Sequence, residues 1–453
     1  MKRAMVPFVL AAVMAGSVWA QQLSTTPVPR DEGWVKRVER DAAKAKQGGW
    51  EVVFVGDSIT DFWQNRGRAE WDKYFGPFKA LNLGISADRT EHVLWRLDHG
   101  QLENNQPKLF VVMIGTNNNG HRKPAEESTA DTVAGIKAIL DKLGQKAPQS
   151  KVLLLAIFPR GATPQDGCRI RNEAVNAEIQ KFADNKRVFW MNINDKLLQP
   201  DGTLSKEIMP DLLHPNAKGY TIWAESILPF VTKTVRASVT PDNRLGEAWW
   251  KSRFEQKIAL VKQGGWEVVF MGDSITHGWE GSGKEVWAQN FGAYKTLNLG
   301  YGGDRTEHVL WRLDNGELDG YQPKLLVLMI GTNNTGHRPE IQESPEDTAA
   351  GIKAILDRIG QKSPTTKVLL LAIFPRSAKP TDSARVRNDK VNALIKGYAD
   401  GKRVVFMDVS KEMLEPDGTL TKEMMPDFLH PREKGYGIWA KAVLPVIKET
   451  VGR

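Results

Sequence analysis

The stretch V-V-F-V-G-D-S-I-T, residues 52–60, is a short apolar run that ends in glycine, aspartate and serine. It returns almost unchanged as V-V-F-M-G-D-S-I-T at residues 268–276. A duplicated core strand can keep its apolar residues without keeping the serine that follows it, whereas a duplicated active site must keep a reacting hydroxyl. The recurrence therefore favours two copies of a site built around Ser58 and Ser274.

The repeat extends far beyond these nine residues. The segment R-T-E-H-V-L-W-R-L-D occurs at residues 89–98 and 305–314, and V-L-L-L-A-I-F-P-R occurs at residues 152–160 and 368–376. Both pairs keep the offset of 216 residues that separates the two serines. A period of this length is much longer than a solenoid repeat, so it predicts tandem duplication of a whole domain. The two repeats are called copy one and copy two below.

The domain boundaries follow from the repeat and from local composition. We expect copy one to occupy residues 30–235 and copy two residues 249–453, with a linker over 236–248 that contains a Thr-Pro-Asp turn signal. Residues 1–20 have a short basic start, an apolar stretch and small residues before a cleavage point after Ala20, as in a bacterial secretory signal. The alternative is an uncleaved anchor. We expect a periplasmic or extracellular protein without stable membrane insertion after cleavage.

Composition restricts the function classes. Of 453 residues, 41% are hydrophobic and 26% are charged, which is typical of a soluble globular protein with enough apolar material for two cores. The net charge of +8 is dispersed, and no run of lysine and arginine indicates a nucleic-acid site. Cys168 is the only cysteine, so no disulfide can form within the chain. Its counterpart in copy two is Ala384, which argues against a cysteine nucleophile.

Copy one alternates short apolar runs with amphipathic segments. Nearly continuous apolar strands between helices indicate a parallel sheet that is covered on both faces. The sequence thus predicts an α/β domain with five parallel strands, repeated in tandem. The expected strands are Val52–Val55, Ala80–Leu83, Leu109–Ile114, Val152–Ile157 and Val188–Ile193, and the expected helical segments are Glu91–Leu97, Asp131–Leu143, Arg169–Phe182 and Ala217–Val231.

Polar residues follow the ends of the first three predicted strands. Ser58 follows strand one, a glycine-containing turn follows strand two, and Asn117 follows strand three. Asp211 and His214 lie in the loop before the last helix. In open parallel sheets, ligands bind beyond the carboxyl ends of the strands. We therefore expect these groups to meet in one crevice.

This set of side chains can perform nucleophilic catalysis. A serine hydroxyl needs a neighbouring base, and neutral His214 can accept its proton near neutral pH. Asp211, three residues earlier, can fix the tautomer of the ring and stabilise the imidazolium. The N–H of Ser58, an N–H of the turn after strand two and the Asn117 amide can bind the oxyanion of a tetrahedral intermediate. This chemistry needs no metal and no cofactor.

The same residues carry a family resemblance. The stretches V-G-D-S-I-T, N-L-G-I-S-A-D-R-T-E-H-V-L-W-R-L, G-T-N-N and D-L-L-H-P resemble those of SGNH, or GDSL-type, esterases, and most nearly the branch of platelet-activating-factor acetylhydrolase catalytic subunits. The resemblance covers each copy. It implies a flavodoxin-like three-layer α/β/α fold and metal-free ester hydrolysis. It also implies two sets of site residues: Ser58, Asp211 and His214, or Ser274, Asp427 and His430, for catalysis, with Ala87 and Asn117, or Gly303 and Asn333, in the oxyanion hole.

One position departs from the family pattern. The family has Gly-Gly before the aspartate of the second block, which copy two keeps as Gly302 and Gly303, whereas copy one has Ser86 and Ala87. Alanine keeps the N–H, but a positive φ would strain it. We therefore expect copy two to be the more reliable catalyst.

The substrate is expected to be a short-acyl ester, and an acetyl ester above all, because no insertion resembles a lipase lid. Predicted export favours O-acetylated carbohydrate, while the family branch favours an acyl phospholipid as the alternative. A carbohydrate-binding protein with one weakened copy is a hypothesis of another class, supported only by Ser86 and Ala87. Trp63 and Trp279 either stack on a sugar ring or pack in the core. The oligomeric state does not follow from the sequence.

Overall fold

Two five-stranded sheets, one in each copy, form the centre of the fold in this computed structural model, which describes residues 23–339 and 343–452. The predicted signal sequence, residues 1–20, lies outside the described residues. The strands are β1 (Val52–Gly56), β2 (Ala80–Gly84), β3 (Leu109–Met113), β4 (Lys151–Leu155) and β5 (Val188–Met191) in copy one, and β6 (Val268–Gly272), β7 (Thr296–Gly300), β8 (Leu325–Met329), β9 (Lys367–Leu371) and β10 (Val404–Met407) in copy two.

Both sheets are parallel throughout and have the same topology. The strand order is β2-β1-β3-β4-β5 in copy one, and copy two has the equivalent order β7-β6-β8-β9-β10. This is the order of flavodoxin-like doubly wound folds. The register pairs Gly56 with Gly84, so β1 and β2 end at the same level.

The helices carry the chain from one strand to the next. Several begin at side-chain caps; Ser128, for example, accepts a hydrogen bond from the N–H of Asp131, whose carboxylate accepts from the N–H of Ser128. The helices of copy one are α1 (Glu32–Ala45), α2 (Ser58–Asp61), α3 (Arg68–Tyr74), α4 (Thr90–Asp98), α5 (Thr116–His121), α6 (Thr129–Lys146), α7 (Gly167–Ile179), α8 (Asn194–Leu197) and α9 (Ala217–Val235). Those of copy two are α10 (Ala248–Gln263), α11 (Ser274–His277), α12 (Lys284–Phe291), α13 (Thr306–Asp314), α14 (Thr332–His337), α15 (Pro345–Lys362), α16 (Ser383–Ile395) and α17 (Glu433–Val451).

Each sheet has an apolar core on both faces, because successive strand residues point to opposite sides. In copy one, Val53 and Val55 pack with side chains of α4, α6 and α7, while Val52 and Phe54 pack on the other face with α3 and α9. Copy two repeats this division. The predicted fold class, two tandem α/β/α domains with five parallel strands each, is confirmed.

The segment predicted as a linker contacts copy two. It contains a short helical turn, Ala237–Val239, in which the carbonyl of Ser238 accepts a hydrogen bond from the hydroxyl of Thr306 and the hydroxyl of Ser238 donates to Glu343. The boundary at residues 236–248 stays a prediction. None of the helices in the part of the chain that the structure describes is both long and apolar enough to cross a membrane.

Candidate active site

The predicted site residues of copy one meet at the carboxyl ends of β1, β2 and β3. β1 lies between the other two strands: β2 pairs with one edge of β1, and β3 pairs with the opposite edge. This reversal is the switch point at which open α/β sheets form their ligand crevice. Ser58 is the first residue of α2, directly after β1, and Asn117 lies in the first turn of α5, directly after β3.

A tight turn after β1 presents the serine. A Cβ on Gly56 would lie 2.1 Å from the hydroxyl oxygen of Thr60 and 2.5 Å from the carbonyl oxygen of Met113, so only glycine fits there. Asp57 caps α2 by accepting a hydrogen bond from the N–H of Ile59 at 3.0 Å. Since Ser58 is the first helical residue, its own N–H has no acceptor within the helix.

The serine, histidine and aspartate of copy one form a continuous hydrogen-bonded chain. Ser58 Oγ lies 2.8 Å from His214 Nε2, and His214 Nδ1 lies 2.8 Å from Asp211 Oδ2. The other carboxylate oxygen, Asp211 Oδ1, accepts from the N–H groups of Leu213 and His214 at 3.1 and 2.7 Å. The ring is therefore held at both nitrogens, with the hydroxyl on one and the carboxylate on the other.

Copy two repeats the geometry. Ser274 Oγ lies 2.8 Å from His430 Nε2, and His430 Nδ1 lies 2.6 Å from Asp427 Oδ2. Asp427 Oδ1 accepts from the N–H groups of Leu429 and His430 at 3.0 and 2.8 Å. The structure thus brings together all six residues that the sequence predicts for catalysis, three in each copy.

Local backbone conformation makes the aspartate–histidine contact. Leu212 and Phe428, each directly after the aspartate, have φ of 58°. This left-handed conformation is unusual for a bulky side chain and is typical of functional loops. Burial by itself would raise the pKa of Asp211, but the hydrogen bonds from the His214 N–H and ring hold that pKa at about 2. The same opposing causes lower the pKa of Asp427. Both aspartates are ionised at neutral pH.

The turn after β2 carries the second predicted oxyanion donor. Ala87 has φ of 63° and Gly303 has φ of 73°, so both copies need the left-handed conformation at this position. Among the described residues, no hydrogen-bond acceptor is assigned to either N–H. Asn117 donates one amide hydrogen to the carbonyl of Asp88 at 3.0 Å, and Asn333 does the same in copy two at 2.9 Å. Each amide group retains a second hydrogen for a ligand.

A buried ionic cluster, which the sequence analysis missed, holds the turn after β2. Arg30 donates to the carbonyl of Ser86 at 2.7 Å, and Asp88 accepts from the Trp34 indole at 2.7 Å and from Arg96 at 2.8 Å. In copy two the same contacts come from Arg244, Trp250 and Arg312. Arg96 and Arg312 lie in the repeated segments at residues 89–98 and 305–314, so the repeat could have identified them. Arg30 and Arg244 do not keep the 216-residue offset, so the repeat does not pair them.

The aspartate before each serine is a second feature that the sequence analysis missed. Asp57 and Asp273 are each 1% exposed. Burial raises the pKa of each to about 7, against the lowering effect of the hydrogen bond from the residue two positions later. The sequence motif is the same for a buried aspartate and for an exposed aspartate that caps a helix, so it could not predict this burial.

The remaining aromatic candidates belong to the core. Trp63 and Trp279 are 0% and 1% exposed, and Trp63 packs 4.3 Å from the ring of Tyr220. Of the two interpretations left open for these tryptophans, packing is therefore the one that the structure supports. Within residues 23–339 and 343–452, no group of three or more histidine, cysteine, aspartate or glutamate side chains is arranged to hold a metal ion.

Comparison with known proteins gives consistent matches. The profile of the GDSL-like Lipase/Acylhydrolase family matches twice, at residues 54–222 and 270–438. The alpha1 subunit of human platelet-activating factor acetylhydrolase IB is 39% identical over 201 residues, which cover 43% of this chain and 83% of that protein. The rat alpha2 subunit is 36% identical over 195 residues, covering 42% and 80%.

The matching solved structures each cover less than half of this chain. A GDSL-like lipase from Bacteroides thetaiotaomicron covers 44% of this chain and 97% of its own, with a TM-score of 0.37 and 22% identity. The acetylxylan esterase Axe2 from Geobacillus stearothermophilus covers 41% and 94%, with a TM-score of 0.34 and 16% identity.

Proposed function

This chain belongs to the GDSL-like lipase/acylhydrolase family and is a carboxylic ester hydrolase, and we propose that each copy removes a short acyl group, above all acetyl, through a Ser-His-Asp triad. The proposed catalytic residues are Ser58, Asp211 and His214 in copy one and Ser274, Asp427 and His430 in copy two. The proposed substrates are O-acetylated carbohydrates, met after export to the periplasm or the cell exterior.

One observation carries the proposal. In each copy a serine hydroxyl lies 2.8 Å from a histidine nitrogen whose ring is held by an aspartate on the other side. This distance is within the reach that proton transfer from nucleophile to base requires. An isolated serine or histidine at a strand end has ordinary structural explanations, but the complete arrangement in both copies supports catalysis.

The reaction follows from these contacts. As Ser58 Oγ attacks the ester carbonyl carbon, its proton passes to His214 Nε2 and the carbonyl oxygen becomes an oxyanion. The N–H groups of Ser58 and Ala87 and the free amide hydrogen of Asn117 would bind that oxyanion. His214 then returns the proton to the alcohol oxygen as the C–O bond breaks, leaving an acyl-enzyme.

The second half of the reaction reverses these roles. Water gives a proton to His214 and attacks the acyl carbon to form a second oxyanion. As this intermediate collapses, the bond from the acyl carbon to Ser58 Oγ breaks, His214 returns the proton to Oγ, and the acid is released. Asp211, ionised throughout because its pKa is about 2, stabilises the imidazolium in both halves.

Two observations bear on the substrate. The names of the curated relatives, acetylhydrolases of platelet-activating factor, support acetyl as the acyl group and keep an acyl phospholipid as the second candidate. The predicted secretory signal supports O-acetylated polysaccharide as the alcohol. Intact Ser-His-Asp sets in both copies argue against a pure carbohydrate-binding protein.

The test is a set of serine variants of the mature chain. Ser58→Ala and Ser274→Ala should each leave activity on p-nitrophenyl acetate, and the double variant should leave none. The control is Ser226→Ala, a serine of α9 whose hydroxyl donates to the carbonyl of Ile222. A fluorophosphonate should add two labels to the wild type and one to each single variant. Rates should fall from p-nitrophenyl acetate to palmitate. Full activity of the double variant would exclude the proposed nucleophiles.

A further inference from the structure

We propose that the two copies accept different alcohols: copy one a compact alcohol, and copy two an extended one such as a sugar within a polysaccharide chain. The inference rests on the proposed esterase function and assigns specificity to residues beside the triads. The catalytic side chains are the same in both copies, whereas the side chains that contact them are not.

In copy one, two side chains cover the triad. The ring of Phe62 lies 4.9 Å from the His214 ring, measured between centroids. The Arg66 guanidinium lies 4.8 Å above the Phe62 ring and 3.3 Å from Asp211 Oδ2, the oxygen that also contacts His214. The guanidinium thus contacts both the ring that packs on His214 and the carboxylate that holds His214.

In copy two, the corresponding positions are Gly278 and Ser282, which have no large side chain to cover the triad. The side chain of His430 is 42% exposed, compared with 17% for His214. Ser274 is likewise more exposed than Ser58, which is 7% exposed. Since the hydrogen bonds within the triads match, the difference in exposure arises from the neighbouring side chains.

The covered side of the triad is the side of the alcohol. His214 Nε2 returns its proton to the departing alcohol oxygen, so the alcohol must lie against the histidine ring at that step. Phe62 occupies space beside this ring, and Arg66 closes it further. These two side chains therefore obstruct a bulky alcohol in copy one, while the same region is open in copy two.

Copy two also has an exposed aromatic surface at the rim of its site. Trp249 is 44% exposed, and its ring lies within 3.7 Å of the position of a Cβ on Gly302, next to the oxyanion residue Gly303. The corresponding residue of copy one is Gly33. The Arg244 guanidinium lies 5.1 Å from the centre of the Trp249 ring, and Glu247 accepts from the indole N–H at 3.0 Å, so the indole is held in place. The exposed part of the ring offers a rigid apolar surface, which suits packing against the C–H face of a sugar ring.

The open form of copy two is built into its packing. A Cβ on Gly278 would lie 2.1 Å from the hydroxyl oxygen of Tyr436, which donates a hydrogen bond to the carbonyl of Ile275 at 2.8 Å. A phenylalanine therefore cannot be placed at 278 without moving Tyr436. For this reason the test opens copy one instead of closing copy two.

The experiment compares single-site enzymes on a small and a bulky ester. The full mature chain with Ser274→Ala reports copy one, and the chain with Ser58→Ala reports copy two. The measured quantity is kcat/KM for acetylated xylan divided by kcat/KM for p-nitrophenyl acetate. We expect this ratio to be about tenfold or more lower for copy one, the scale on which one obstructing group in a pocket discriminates.

Variants then assign the difference to the named side chains. In the Ser274→Ala chain, Arg66→Ser and Phe62→Gly with Arg66→Ser should raise the ratio stepwise toward that of copy two. In the Ser58→Ala chain, Trp249→Ala should lower it. If the double substitution impairs folding, as circular dichroism would show, Arg66→Ser alone and the comparison of the two parents decide the question.

The outcomes separate this inference from the proposed function. Equal ratios for the two parents, or a ratio that Arg66→Ser leaves unchanged, would overturn the inference while leaving both copies esterases. If neither parent hydrolysed either ester, the proposed function itself would fail.

Discussion

Replacing Ala87 by glycine should stabilise copy one. Ala87 has φ of 63°, a conformation that L-residues avoid because Cβ approaches the following carbonyl oxygen. Its counterpart Gly303 has φ of 73° and no Cβ. Two contacts of the turn are shared by both copies: the carbonyl before each residue accepts an arginine hydrogen bond of 2.7 Å, and the N–H after each donates a bond of 3.2 Å. Ala87→Gly therefore removes strain without removing a contact that holds the turn.

Two opposing terms set the magnitude. The left-handed conformation costs an L-residue about 1–2 kcal/mol, which the substitution recovers. Glycine also gives the unfolded chain more conformational freedom, which lowers the free energy of unfolding by about 0.4–1 kcal/mol. With both terms near the middle of their ranges, about 1.5 and about 0.7 kcal/mol, the net gain in the free energy of unfolding is about 0.8 kcal/mol. At about 2–4 °C per kcal/mol for a domain of this size, the transition of copy one should rise by about 1–4 °C.

The assay is differential scanning calorimetry of the full chain, with Ser377→Gly as a matched control. Ser377 has φ of 64° in copy two, where copy one has Gly161 with φ of 75°. Ser377→Gly should thus stabilise copy two by a similar amount without changing the turn that contains Gly303. A lower transition temperature for Ala87→Gly, alongside a higher one for Ser377→Gly, would refute the assignment of strain to Ala87.

Three further outcomes follow from the geometry. Burial raises the pKa of Asp57 to about 7, so the folded chain keeps a proton that the unfolded chain loses near pH 4. The free energy of unfolding should therefore fall by up to about 4 kcal/mol as pH rises from about 4 to 7. Asp57→Asn should reduce this fall when it is measured by urea titration, and an unchanged dependence on pH would contradict the prediction. Asp427→Asn in the Ser58→Ala chain should lower kcat about 10⁴-fold at similar KM, because the histidine loses its tautomer. Asn333→Ala in that chain should lower kcat about 10²–10³-fold, and a loss confined to KM would remove Asn333 from the oxyanion hole.

The sequence was sufficient to predict the strands and the meeting of serine, histidine and aspartate in each copy. Buried parallel strands read as apolar runs, so the predicted starts of β1, β2 and β3 agree with the structure, and β4 begins one residue earlier than predicted. The juxtaposition of the proposed triad residues could be predicted because the strand order brings the carboxyl ends of the strands together, whatever the loops between them. The aspartate and histidine lie three residues apart, so a single turn is enough to bring them together.

The sequence was not sufficient for features that depend on packing. Nothing in the letters distinguishes buried Trp63 from exposed Trp249, since only the surrounding helices decide which indole reaches solvent. The contact of Arg66 with Asp211 joins residues that are 145 positions apart. The raised pKa of Asp57 likewise depends on burial from every side.

The two copies differ in a pattern that separates chemistry from specificity. Proton transfer between hydroxyl and imidazole requires a short, aligned contact, so a shift of 1 Å is costly, and the contact is 2.8 Å in both copies. Binding an alcohol imposes no such single distance, and it is there that Phe62 and Arg66 are replaced by Gly278 and Ser282. If the duplication served only to double one activity, nothing in the chemistry would require the surroundings of the two histidines to differ. Matching serine–histidine contacts with different surroundings are instead what we expect if, as we propose, the two copies remove the same acyl group from two kinds of alcohol.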